Sequence, residues 1–145
     1  MHWARRIENG TVLIMIVVFA YTGISKLWAF DHHIATFRNQ PLPTEWENIL
    51  AYIIPFSELI TVILLIFLST RRIGLVLSLV LMTIFSTYVG LVVARGFDRI
   101  PCSCGGIFSS MDWKLHWLIN IFLTSLLFFG VIMQGPRKKP GSDCG

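Results

Sequence analysis

Charge is scarce in this chain of 145 residues, with 8 acidic and 12 basic side chains against 54% apolar residues. The few charges gather at the edges of apolar blocks instead of lining one face of amphipathic segments. That pattern excludes an ordinary soluble domain and makes lipid the expected solvent. Cysteine is scarce too: 3 residues are too few for a disulfide-stapled secreted scaffold. The chain has no internal repeat and no Ser/Gly-rich linker, so residues 1–145 read as a single membrane domain. It also has no long basic run, and its basic residues lie between uninterrupted apolar blocks, so no nucleic-acid partner is expected. A convincing small-residue cleavage site after Ala20 is missing as well. The first apolar block is longer than the roughly 7–15 residues of a signal peptide's apolar core, so it reads as a retained span.

Four apolar blocks are present, each near the ~20 residues that a bilayer core requires. They predict an all-α membrane protein, a four-transmembrane-helix antiparallel bundle with helices at about 10–30, 48–70, 73–95 and 111–134 and a short basic tail over 135–145. Pro41-Leu42-Pro43 cannot continue a helix. Thr44 with Glu47, and Ser109 with Asp112, match the capping-box pattern and predict helix starts near Glu45 and Ser110. Arg71 and Arg72 leave almost no link between the second and third blocks, which must form an antiparallel hairpin. Residues 31–48 and 95–114 read as the two long polar connections.

With four spans, both termini share one side and both long connections share the other. Arg5, Arg6, Arg71, Arg72, Arg137, Lys138 and Lys139 then lie on one face, against Arg38, Arg95, Arg99 and Lys114 on the other. The positive-inside rule makes the richer face cytoplasmic, an N-in/C-in orientation. Trp28, Trp46, Trp113 and Trp117 gather toward the opposite interface, as an aromatic belt does. The expected location is the bacterial inner membrane, multi-pass, with the bilayer itself as the first partner.

The chemistry is concentrated near Pro101-Cys102-Ser103-Cys104-Gly105-Gly106. On the predicted orientation Cys102 and Cys104 face the periplasm, where disulfides persist, and Cys144 faces the reducing cytoplasm. A Cys-x-Cys closes on itself only in a turned backbone, because the two Cα atoms must come within about 7 Å, and tighter geometry stores strain that eases reduction. Arg95, Arg99 and a following helix start favour the thiolate that performs exchange.

Four ionisable or strongly polar side chains interrupt the blocks: Lys26, Glu58, His116 and Asn120. At 1.5 Å rise per residue all four fall in the half of the membrane nearest the cysteines. His116, Asn120 and Thr124, spaced i, i+4, i+8, predict one polar stripe on the last helix. His116 titrates near neutrality and is the candidate proton carrier beside Cys102 and Cys104. Lys26, Glu58 and Asn120 are candidates for shaping a pocket. A purely structural alternative has Lys26 paired with Glu58, and Asn120 bonded to a neighbouring helix. The adjacent His32 and His33 do not share a helix face and are expected to be a solvated pair. Cys102, Cys104 and His116 with one of these histidines would make a zinc or copper site, but the spacing matches no standard zinc pattern, and no metal ligand is assigned. Ser78, Ser86, Thr87 and Gly90 suit close helix packing and are given no chemistry.

Four features taken in order resemble the MauE/DoxX-like family of small four-helix membrane proteins: Tyr21-Thr-Gly-Ile-Ser-Lys26-Leu27 ending the first helix, Pro55-x-x-Glu58-Leu59 opening the second, Cys102-x-Cys104-x-Gly106, and Trp113 to Asn120 opening the last. The resemblance covers about residues 11–133. It implies a role in methylamine utilisation, in disulfide formation in, or export of, a periplasmic dehydrogenase subunit. Related domains occur beside thioredoxin-like proteins. No thioredoxin-like segment lies in these residues, so a periplasmic thioredoxin-like protein or secreted substrate protein is expected to act in trans. The chain departs from better understood membrane disulfide enzymes in carrying Cys-x-Cys and not Cys-x-x-Cys.

Two function classes follow. One is a membrane thiol–disulfide protein in which Cys102 and Cys104 exchange with that partner, with no cofactor assigned and a quinone as the electron carrier the reading admits. The other is a non-enzymatic scaffold or assembly factor for a secreted or respiratory complex, its Cys-x-Cys disulfide only structural.

Overall fold

The computed structural model describes residues 2–38, 44–94 and 112–133. They form five helices: α1 (His2–Trp28), α2 (Phe30–Arg38), α3 (Thr44–Ile66), α4 (Arg71–Val93) and α5 (Trp113–Met133). No strand occurs among the described residues. Four stretches are long and apolar enough to cross a bilayer: Arg6–Trp28, Asn48–Ile66, Arg71–Val93 and Trp113–Met133.

The helix ends differ from the sequence expectation in ways with simple causes. α1 begins at His2, not near residue 10, because the polar residues ahead of the apolar block include no proline and so nothing there stops a helix. At 1.5 Å per residue it is about 40 Å long, so its first turns extend beyond a ~30 Å hydrocarbon core. The connection read over 31–48 contains a helix of its own, α2. The α1 ladder runs on through the single turn residue Ala29: its N–H donates to the Ser25 carbonyl at 3.1 Å, and the His33 N–H donates to the Ala29 carbonyl at 2.9 Å. α2 is a bent continuation of α1, tied to α3 by the Phe30 and Tyr52 rings with centroids 4.7 Å apart.

Between α3 and α4 the expected hairpin is tight. Thr70 donates its hydroxyl to the Leu64 carbonyl at 3.0 Å, and its N–H to the Phe67 carbonyl at 3.2 Å. A Cβ on Gly74 would lie 2.9 Å from the Leu65 backbone nitrogen, so this crossing requires glycine. Beside the hairpin, Arg71 donates to Asn9 Oδ1 at 3.1 Å and joins α4 to α1.

α1 packs on α3, α3 on α4 and α4 on α5, and α5 closes the ring against α1. The core is Val12, Met15, Phe19, Leu65, Leu75, Met82, Leu123 and Leu127. Large apolar side chains such as Val17, Ile53, Val80 and Phe122 point outward, as they must where the solvent is lipid. Close contacts involve small residues: Gly23 against Leu59 and the Pro55 carbonyl, Gly90 against the Trp117 indole, Gly130 against Thr11. Ser86 and Thr124 hydroxyls meet at 3.0 Å between α4 and α5, so Ser86 has the packing role expected of it. The end where α1 and α4 finish and α3 and α5 begin is called the distal end here. The α3–α4 hairpin marks the proximal end.

Candidate functional site

A cavity of about 250 Å³ opens inside the distal half of the bundle, lined from all five helices. Its walls are apolar, with Phe19, Ile54, Met82, Phe85 and Leu123 among them, and its polar members are few: Lys26, Glu58, His33, His116, Asn120, and the hydroxyls of Thr22, Ser25 and Tyr88. Lys26, Glu58, His116 and Asn120, placed at one level from rise per residue alone, do line one cavity.

At its floor Lys26 Nζ donates to Glu58 Oε1 at 2.5 Å. Glu58 is 1% exposed, and the Lys26 side chain 11%. Two elements make this pair. Gly23, three residues before Lys26, lets α1 sit against the Pro55 carbonyl, three residues before Glu58, so the charged side chains meet across a close helix crossing. The pair is net neutral, which is how a bilayer interior tolerates both charges. Lys26 also lies 5.5 Å from the Phe85 ring centroid, so an aromatic face from α4 shares the ammonium. Glu58 Oε2 is buried with no hydrogen-bond partner among the described residues. Thr22 and Ser25 donate to their own helix, to the Val18 and Thr22 carbonyls, a local satisfaction usual for hydroxyls in spans. The structural alternative for Lys26 and Glu58 is therefore the observed contact.

His116 stacks on Trp113, the ring planes 6° apart and the centroids 6.3 Å apart. Both lie in the first turn of α5, where the His116 N–H donates to the Asp112 carbonyl at 3.0 Å. Asn120, 8% exposed, sits one turn deeper. Thr124, third in the predicted stripe, leaves the cavity and bonds Ser86. Eight residues at 100° each rotate a side chain by about 80°, enough to carry it from the cavity toward α4.

His33 corrects the expectation of a solvated histidine pair: it is 4% exposed and lines the cavity. α2 places it there, with Phe30 and Ile34 half-buried on either side at i−3 and i+1. The Phe30 and His33 ring centroids are 6.5 Å apart. The spacing Phe30, His33, Ile34 is a helical apolar stripe and was the signal in the sequence that marked His33 as inward.

The cavity also reaches the outer surface of the bundle. Ile84 lines it and is 56% exposed, on the same outward stripe of α4 as Val80 and Leu91. From α3, Leu50 and Ile54 line it along with Glu58. The α3–α4 hairpin is closed at its proximal end by Gly74, and toward its distal end both helices line the cavity.

Cys102, Cys104 and the Ser109–Asp112 cap lie wholly or partly outside the described residues, as does Cys144. Among the described residues no three His, Cys, Asp or Glu side chains are grouped to hold a metal ion.

Four membrane-length helices closed into a ring around a neutralised ion pair define a multi-pass integral membrane protein. The family described as methylamine utilisation protein MauE matches residues 3–133. The chain belongs to that family. Neither the curated proteins nor the solved structures gave a match.

Proposed function

We propose that this protein is a thiol–disulfide exchange protein of the bacterial inner membrane, with its distal end facing the periplasm. Cys102 and Cys104 are its exchanging pair, and the partner is a periplasmic thioredoxin-like or secreted protein. The observation that carries the reading is that both thiols fall in the connection between α4 and α5, two helices that line the distal cavity. The last two turns of α4 give Tyr88 and Val89, and the first turn of α5 gives Trp113 and His116, and all four of these residues line the cavity. Cys104 precedes Trp113 by 9 residues and Cys102 by 11, at most about 30 and 40 Å of fully extended chain.

In the exchange, a thiolate of the partner attacks one sulfur of the Cys102–Cys104 disulfide and forms a mixed disulfide. The partner's second thiolate then displaces it, leaving the partner oxidised and Cys102 and Cys104 reduced, and the reverse sequence reduces the partner. His116, at the rim, takes up or returns the proton that each thiol gains or loses. Asn120 shapes the pocket, and the Lys26–Glu58 pair holds α1 against α3 beneath it. The orientation is supported by the basic residues at the proximal end, Arg6, Arg71 and Arg72, and by Trp28, Trp46 and Trp113 at the distal one.

The second reading, a scaffold for assembly of a secreted or respiratory complex, is favoured by one observation: Lys26 and Glu58 satisfy each other and need no substrate. Replacing Cys102 and Cys104 together by serine separates the two. Loss of the partner's correct thiol state at normal protein abundance supports exchange, and a full complement of correctly paired partner supports the scaffold.

A further inference from the structure

We infer that the distal cavity is a binding site for the ring of a lipid-soluble quinone that enters sideways from the bilayer between α3 and α4.

Three observations carry this. The first is access: Ile84 belongs both to the cavity wall and to the lipid-facing stripe of α4, and Leu50 and Ile54 of α3 line the same cavity. A molecule dissolved in the hydrocarbon core therefore reaches the cavity without crossing water. The second is shape and polarity. A space of about 250 Å³, just below the usual range for a ligand site, admits no more than a single substituted ring. Its walls are mostly aromatic and aliphatic, with Lys26, Glu58, His33, His116, Asn120 and three hydroxyls as the polar members. The third is charge. The ammonium of Lys26 is already neutralised by Glu58 at 2.5 Å, so the floor carries no net positive charge to hold a phosphate or carboxylate head group. What it offers is the Asn120 amide N–H, which matches a carbonyl oxygen of a neutral ring. An uncharged, ring-sized, membrane-dissolved molecule with acceptor oxygens has the chemistry of a quinone.

The site stands on the cavity alone and not on the thiol exchange. Where both hold, Cys102 and Cys104 as two thiols give two electrons and two protons to the ring, forming one S–S bond and a quinol.

The test uses the full-length protein in phosphatidylcholine nanodiscs with its cysteines alkylated, so that failure of thiol exchange leaves the result untouched. Retention of a tritiated short-tailed benzoquinone is measured against protein-free discs. Saturable retention is expected, at one ring per chain. Ile84→Trp, on the lipid face where it spares the fold, fills the entry, and Asn120→Leu removes a donor. Each is expected to weaken binding about fivefold or more, the scale of one lost hydrogen bond, with helix content unchanged by circular dichroism. Adding phosphatidylglycerol to the discs is expected to leave affinity unchanged. Retention no greater than in protein-free discs, parental affinity in either variant, or displacement by phosphatidylglycerol, which would mark a lipid headgroup site, overturns the assignment.

Discussion

Replacing Lys26 by methionine leaves the Glu58 carboxylate alone in a site 1% exposed. At the observed 2.5 Å, and with the effective dielectric of about 20 that fits protein ion pairs, the lost attraction is about 7 kcal/mol before solvation is counted. Most of that attraction offsets the several kcal/mol per ion needed to take both charges out of water. Removing one partner costs about 3–5 kcal/mol, while removing both for apolar groups of similar size costs little. Glu58→Leu is the milder single change. Lys26 lies in the last turn of α1 and is 11% exposed, so its ammonium can extend toward the interface. Lys26→Met is therefore expected to lower stability by about 3 kcal/mol or more, Glu58→Leu by about 1–2, and the double variant by no more than about 1. Reversible unfolding in mixed detergent–SDS micelles measures all four forms. Losses that add in the double variant, or a Lys26→Met form within about 1 kcal/mol of the parent, would refute the view of a coupled, desolvated pair.

Other consequences of the packing can be checked in the same assay. Gly74→Ala is expected to destabilise by about 1–3 kcal/mol, because its Cβ meets Leu64 and Leu65 backbone at 2.9–3.0 Å. Gly10→Ala, with nothing within 4 Å, is expected to stabilise by about 0.5–1 kcal/mol. A double-mutant cycle of Ser86→Ala with Thr124→Val should show a coupling of about 0.6 kcal/mol, the usual worth of such a bond between spans. On the orientation, an impermeant maleimide applied to intact cells should label Cys102 and Cys104 after mild reduction and leave Cys144 unlabelled. Labelling of Cys144 alone would reverse it.

The four spans were legible because a bilayer demands long apolar blocks, and Arg71-Arg72 forced the hairpin. The level of Lys26, Glu58, His116 and Asn120 was legible because rise per residue converts position into depth. Direction around a helix was less so: Thr124 shares a nominal stripe with His116 yet faces Ser86, since drift accumulates over two turns. α2 was missed because nine residues rich in charge and histidine look like a connection when hydropathy is averaged. The ladder continued from α1 and packing against α3 stabilise so short a helix. His33 was misjudged with it, since its burial depends on that helix. The aromatic members of the site, Phe85, Tyr88 and Trp113, carry no signal that separates them from ordinary span residues. Their role is visible only once α4 and α5 are set beside α1.

The most direct test of the proposed activity is the redox state of Cys102 and Cys104 in living cells, trapped by acid quench and resolved with a mass-tagged maleimide. Thiol exchange predicts that the pair shifts between disulfide and dithiol as growth conditions change, and that Cys104→Ser accumulates a mixed disulfide with a periplasmic protein through Cys102. A pair held in one state under every condition, with no mixed disulfide, would contradict it.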